Sequence, residues 1–200
     1  LHSPLPGEGA TQIHVYDKDK EALFARSVAC LTKQQLSIMD ASINTNKNGF
    51  CFDTYTVLNQ DGGPIESSSA RRTAIKESLI EQLSSNNADF FEAKLNNQRV
   101  ARQLKEFRTR TEVQVSKTHP SSDLKLRILA ADRPGLLAII SRILIEHEYT
   151  ISTAKITTLG ENIEDTFVIQ GKSAEASIDE PLMSSLEKQI ASKIDQALHL

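Results

Sequence analysis

The residues best placed to do chemistry are Asp132-Arg133-Pro134-Gly135-Leu136, which join an alternating stretch to an amphipathic one. Pro134 suits the first turn of a helix, where its missing N–H costs nothing. Asp132 stands where a side-chain oxygen can accept the free N–H groups of that turn. Gly135 removes a side chain where backbone could approach a ligand closely. The N–H groups that follow lie at the positive end of a helix dipole and suit a carboxylate. Two readings stand side by side: a well-capped helix, or a loop that holds a small molecule.

Other chemistry finds little support. His2, His14, His119, His147 and His199 show no metal-ligand spacing, and no strained Gly-x-Ser-x-Gly turn is present for a nucleophilic serine. Asp53 and Asp165 share a strand face with Tyr55 and Val57, and with Phe167 and Ile169. A lone buried carboxylate is costly, so each is expected at an exposed strand end or turned outward by a bulge; two roles are open to it, a structural hydrogen bond to a neighbouring turn or contact with a ligand.

The elements that must position these residues form an internal repeat. Leu124–Ala131 alternates Leu124, Leu126, Ile128 and Ala130 inward and predicts a strand. After Pro134, Leu136, Leu137, Ile140, Ile143 and Leu144 form one helical stripe. Thr150–Thr158 and Ile163–Gln170 predict two strands around a turn at Gly160, and Pro181 opens a last helix carrying Leu182, Leu186, Ile190 and Ile194. A worn copy of the pattern lies about 113 residues upstream: strand Thr11–Tyr16, helix Glu21–Gln35, strand Leu36–Thr45, an Asn-Gly hairpin turn, and strand Phe50–Leu58.

The segment Glu66–Arg110 has no counterpart in the second half. It predicts one helix, capped by Ser67–Ser69, to about Leu83. A second, basic helix over about Asp89–Arg108 carries Lys94, Arg99, Arg102, Lys105 and Arg108. The basic helix reads as a solvated face or as a docking surface for an acidic partner. Thr111–Lys117 alternates again and is expected to return to the first sheet.

The fold class is therefore α+β: two ferredoxin-like (βαββαβ) sandwiches in tandem, the first with a two-helix insertion. The second is expected to be one strand short, since no clear strand follows its last helix. The expected boundaries are residues 8–118 for the first module with its insertion at about 66–110, a linker at 119–122, and 123–200 for the second.

Composition narrows the function further. Hydrophobic residues make up 39% and charged residues 24%, ordinary for a globular chain. The net charge of -3 gives no general drive toward nucleic acid or anionic membrane. No apolar run approaches a membrane span or a signal peptide. Cys30 and Cys51 align with Ile143 and Ile163 of the repeat and read as small core hydrophobes in a reducing, cytoplasmic setting. The chain opens without Met, which leads us to expect a piece of a longer protein.

Asp132-Arg133-Pro134-Gly135-Leu136-Leu137-Ala138 after a strand, Ile151–Thr158, and Glu164-Asp165-Thr166-Phe167 together resemble the ACT family of amino-acid-sensing modules. In the first half the matching residues include Asp19, Leu23, Phe24, Ala25, Ile38, Asp40–Ile43 and Asp53–Tyr55, but Asp19-Lys20-Glu21-Ala22-Leu23 lacks the Pro-Gly pair. The tandem layout with its insertion resembles the C-terminal ACT pair of the bacterial protein-PII uridylyltransferase/uridylyl-removing family.

That resemblance implies a ligand, a free amino acid with glutamine expected, held by Asp132, Arg133, Pro134, Gly135, Leu136 and Leu137, with Thr153 and Ala154 lining its side chain. A weaker site in the first module would use Asp19, Ala22, Leu23, Asp40 and Ala41. It also implies that the catalytic domains, and any metal such as Mg, lie upstream. No cofactor is expected in this chain, and the PII protein is a partner only through the parent enzyme. Pairing of sheet edges into a homodimer, or regulation of another enzyme or transcription system, are the alternatives.

Overall fold

In the computed structural model, the residues described are 9–18, 20, 22–66, 70–85, 111–118, 123–132, 135–159, 161–171 and 180–198. The chain divides into two compact units, Leu1–Asn96 and Asn97–Leu200. The basic stretch 89–108, the cap at 67–69 and the linker at 119–122 lie outside the described residues. Among those described, no helix is long and apolar enough to cross a membrane.

The first unit contains β1 (Thr11–Lys18), α1 (Leu23–Lys33), β2 (Ser37–Asn44), β3 (Phe50–Leu58) and α2 (Ala70–Ser84). Its strands run antiparallel in the order β1-β3-β2. The inward rows are those the alternation predicts: Ile13 and Val15 on β1, Ala41 and Ile43 on β2, and Cys51, Tyr55 and Val57 on β3 are all buried. α1 covers them with Leu23, Phe24, Val28 and Leu31, and α2 adds Ile75 and Leu79. Each of these side chains is worth about 1.5–3 kcal/mol once fully buried, which is enough to fix which face of the sheet the helices cover. Ala70 of the expected stripe is exposed and Leu83 half-buried. Cys30 and Cys51 are buried as reduced thiols.

The second unit contains β4 (Glu112–Lys117), β5 (Leu124–Ala131), α3 (Leu136–Glu146), β6 (Tyr149–Leu159), β7 (Asn162–Gly171) and α4 (Glu180–Leu198). Its order is β6-β7-β5-β4, all antiparallel. α3 buries Leu136, Ile140, Ile143 and Leu144 against this sheet, and α4 buries Leu186, Ile190 and Ile194. Leu182, expected in that register, is 43% exposed.

One expectation is corrected by this pairing. The strand at 112–117 does not return to the first sheet; it pairs with β5, from Glu112↔Leu129 to Lys117↔Leu124. The short connection explains it. Closing a few residues between β4 and β5 costs far less chain entropy than a long excursion back to β1. Thr118 N–H and Oγ1 both donate to the Asp123 carbonyl at 2.9 Å, closing that connection. β4 thus occupies the place beside β5 that a strand after α4 would take in a βαββαβ unit, so the second sheet has four strands. Glu187 of α4 accepts the Val115 N–H at 2.8 Å, satisfying a donor on the edge of β4.

The repeat is most visible in the backbone. Each first helix begins after a left-handed residue, Ala22 (φ 60) in one unit and Gly135 (φ 81) in the other. Each is followed by another left-handed residue, Gln35 and Glu148. Each second strand carries a register shift, between Ile38 and Asp40 and between Ile151 and Thr153. These three pairs have the same separation in sequence. The missing glycine of the first unit therefore changed the residue and left the conformation.

An L-residue in the left-handed region costs about 1–2 kcal/mol that glycine does not, partly offset by glycine's greater freedom when unfolded. Ala22→Gly should stabilise the chain by about 0.5–1 kcal/mol, and Gly135→Ala should destabilise it by about 1 kcal/mol, both read from urea denaturation. Destabilisation by Ala22→Gly would contradict the shared backbone.

Candidate functional site

The candidate site of the second unit lies where β5 ends. Ala131 pairs with Asn162, and the N–H of Asp132 donates to the Glu161 carbonyl at 2.8 Å. That bond ties the β5–α3 turn to the β6–β7 turn. Asp132 is half-buried; Arg133 and Pro134 lie outside the described residues. Gly135 is the N-cap residue of α3 and contributes no side-chain cap. Leu136 is buried and Leu137 half-buried. The Gly135 carbonyl accepts the Ile139 N–H at 3.1 Å, and the Leu137 carbonyl accepts Ser141 Oγ at 2.7 Å. The carbonyls of this turn are thus used within the helix, while its first N–H groups stand at the positive end of the dipole.

Thr153 and Ala154 are not gathered with that turn inside the unit. Ala154 pairs with Phe167, and Phe167 pairs with Leu126 on β5. Leu126 is five residues from Ala131, roughly 17 Å along the strand at 3.3–3.4 Å per residue. Ala154 is 1% exposed, and Thr153 points to the exposed side just past the register shift. In the first unit Asp19 lies outside the described residues, Ala22 is half-buried, Leu23 and Ala41 are buried, and Asp40 is exposed. There Lys20 pairs with Asp17 at 2.6 Å, so a cation of the chain itself already serves a carboxylate beside that turn.

The residue that sequence reasoning misplaced is Asp165. It was expected at an exposed strand end or turned outward, as was Asp53; instead Asp53 is 0% and Asp165 1% exposed. Strict alternation alone, without the energetic objection, puts both in their observed rows. Asp165 pairs with Ile128 on β5, and its Oδ1 accepts the Thr157 N–H at 3.3 Å. Burial pushes its carboxyl up to about 7; the Thr157 hydrogen bond works the other way, and the negative charge of Asp132 adds to the rise.

In the first unit Tyr55, fully buried, donates its hydroxyl to Asp53 Oδ2 at 3.4 Å. Burial pushes that phenol well above its ordinary range, with the Asp53 charge adding to it. The second unit has Phe167 at the matching position and no hydroxyl to give. Among the described residues no group of three or more His, Cys, Asp or Glu is placed to hold a metal ion.

Fold and site together define a tandem of ferredoxin-like α+β units, of which the second carries a strand–helix turn with glycine at its left-handed position. No family model matches the chain. It is 38% identical over 189 residues to the bifunctional uridylyltransferase/uridylyl-removing enzyme of Ectopseudomonas mendocina, covering 94% of this chain and 21% of that one. The enzyme of the same name from Azotobacter vinelandii is 38% identical over 187 residues, and that from Pseudomonas syringae pv. tomato 37%, each covering 94% of this chain and 20% of its own. The chain is therefore homologous to one region of the uridylyltransferase/uridylyl-removing enzymes and spans about a fifth of their length. A solved structure described as an unknown protein from Galdieria sulphuraria aligns over 96% of this chain and 94% of its own at 10% identity, with a TM-score of 0.31.

Asp165 holds its proton in the folded chain far above the ordinary 3.8 of an aspartate. Its contribution to stability is thus full below pH 4 and is lost as pH rises toward about 7, by on the order of a few kcal/mol. Asp165→Asn, which carries no charge at any pH, should melt higher than the unsubstituted chain at pH 8. The gap should shrink as pH falls and close only below about pH 4 in thermal denaturation scans. A gap independent of pH would show that Asp165 is ionised throughout.

Proposed function

We propose that this chain is the amino-acid-sensing regulatory region of a uridylyltransferase/uridylyl-removing enzyme, with the turn at Asp132–Leu137 of the second unit as the sensor. The supporting observation is the match of nearly the whole chain to one region, about a fifth, of those enzymes. Catalysis is assigned to the remainder of the enzyme, together with any metal it uses. Its protein substrate, the PII nitrogen-signalling protein, would meet this region only through that remainder.

The ligand proposed for the turn is a free amino acid, glutamine. Its α-carboxylate would take the N–H groups at the start of α3, and Asp132 would face its α-ammonium. The energy required is small. A sensor working near millimolar concentration needs about 4 kcal/mol of binding. One or two charge-assisted hydrogen bonds at about 1.5–3 kcal/mol each, with about 0.3–1 kcal/mol from the helix dipole, supply that. Binding regulates only if it favours one arrangement of the parent enzyme over another.

A second reading, an assembly module, draws on the outer face of the first sheet. Tyr16 is 68% and Phe52 51% exposed there, stacked on Phe50 and His14 at centroid distances of 5.6 and 5.7 Å. A dimer indifferent to every amino acid would favour it.

Titration calorimetry of the chain with L-glutamine and a panel of other amino acids should give a dissociation constant of about 0.1–1 mM for glutamine, weaker for the rest. Asp132→Ala should weaken it tenfold or more while leaving the melting transition in place. Absence of heat with every amino acid would overturn the sensing reading.

A further inference from the structure

The two units do not end their sheets alike. In the second, β5 lies between β7 and β4; in the first, β1 pairs with β3 on one side and, among the described residues, with no strand on the other. The register fixes which groups of β1 face that open side. The Asn46 N–H donates to the Phe50 carbonyl, so Phe50 is turned toward β2 and the next residue, Cys51, toward β1. Cys51 pairs with Asp17, and successive residues of a strand send their N–H and C=O groups to opposite edges. Ile13, Val15 and Asp17 therefore bond to β3, while Gln12, His14, Tyr16 and Lys18 face outward. The Lys18 N–H is taken by Asp17 Oδ1 at 2.7 Å, which leaves the backbone of Gln12, His14 and Tyr16 along the edge. β1 has little of the usual edge protection: it is eight residues long, has no proline, and is charged only at its end.

The second unit shows what belongs there. The counterparts of Gln12, His14 and Tyr16 are Lys125, Arg127 and Leu129, which pair with Ser116, Gln114 and Glu112 of β4. These are the bonded pairs, because the Val115 N–H between them is turned away, to Glu187. The side chains agree: Arg127 and Leu129 are half-buried, whereas His14 is exposed and Tyr16 is 68% exposed.

We propose that the open edge of β1 is filled by a strand of the parent enzyme, the stretch that leads directly into this chain, paired with β1 as β4 is paired with β5. The repeat names the occupant. β4 reaches β5 from its N-terminal side through a short connection, so the equivalent strand of the first unit precedes β1. Moving Glu112–Lys117 upstream by the 113 residues that separate Thr11 from Leu124 sets that strand on the last two residues before Leu1 and on Leu1–Pro4, none of them among the described residues. The relatives are about five times the length of this chain, so the parent enzyme has residues to supply it. In this register the pair Glu112↔Leu129 becomes the second residue before Leu1 opposite Tyr16, so the Tyr16 N–H bonds to chain outside these 200 residues. A strand ladder, unlike a loose linker, holds the first unit to what precedes it. The inference uses the homology of the chain and not the sensing reading, and it stands or falls separately.

Amide hydrogen exchange tests this on two chains, the 200 residues and the same chain extended upstream by about ten residues of the parent enzyme, enough for one strand. The Tyr16 amide should exchange at least about tenfold more slowly in the extended chain, which should also melt about 2–4 °C higher. His14→Pro removes an outward N–H without removing a bond to β3, so it should abolish that gain in melting temperature. If His14→Pro does not fold, the exchange of Tyr16 decides alone. Tyr16 exchange unchanged by the extension overturns the proposal. So does slowing that depends on protein concentration, as pairing of two copies would give.

Discussion

A carboxylate on the inner row of a central strand has to be answered by a donor, a cation or a proton, because an apolar interior will not hold it charged. Each unit of this chain contains one such residue, and much of the difference between the units follows from how it is answered. In the first unit the Tyr55 hydroxyl lies 3.4 Å from Asp53 Oδ2, beside the Phe24–Tyr55 ring contact. In the second unit burial pushes the Asp165 carboxyl up to about 7, with the Thr157 N–H as a hydrogen-bond donor to it.

The turns above these residues fit the same division. Both units begin their first helix through a left-handed residue, so the geometry that directs N–H groups outward is common to the pair. The first unit strains an alanine to keep it and sets a lysine against Asp17. The second uses glycine, which removes both the strain and the side chain. Of the two turns, the one with the unstrained backbone at its helix start is the better suited to an incoming carboxylate. Its partner conserves the frame without the chemistry.

The tandem α+β architecture and the inner rows of the strands could be read from alternation, because burial on one face of a sheet imposes a period of two that composition cannot disguise. The candidate turn was legible from Pro-Gly after a strand. Four features were not. The partner of β4 is set by the length of the connection and not by its own residues, so an alternating TEVQVSK fits either sheet. The left-handed Ala22 is invisible because alanine gives no sign of the conformation it is forced into. Asp165 was misplaced because the cost of burying a charge was allowed to outweigh the pattern, when the residue avoids that cost by keeping its proton. The distance between Thr153–Ala154 and Asp132 belongs to the register, which a single strand's sequence does not contain.

The central claim is that the second unit, at Asp132–Leu137, is where an amino acid is sensed. Amide chemical shifts during an L-glutamine titration test it most directly. The changes should concentrate at Gly135, Leu136 and Leu137 and leave Ala22, Leu23 and Tyr55 unmoved. Shifts confined to the first unit, or saturable binding that leaves the Gly135–Leu137 amides unchanged, would contradict it.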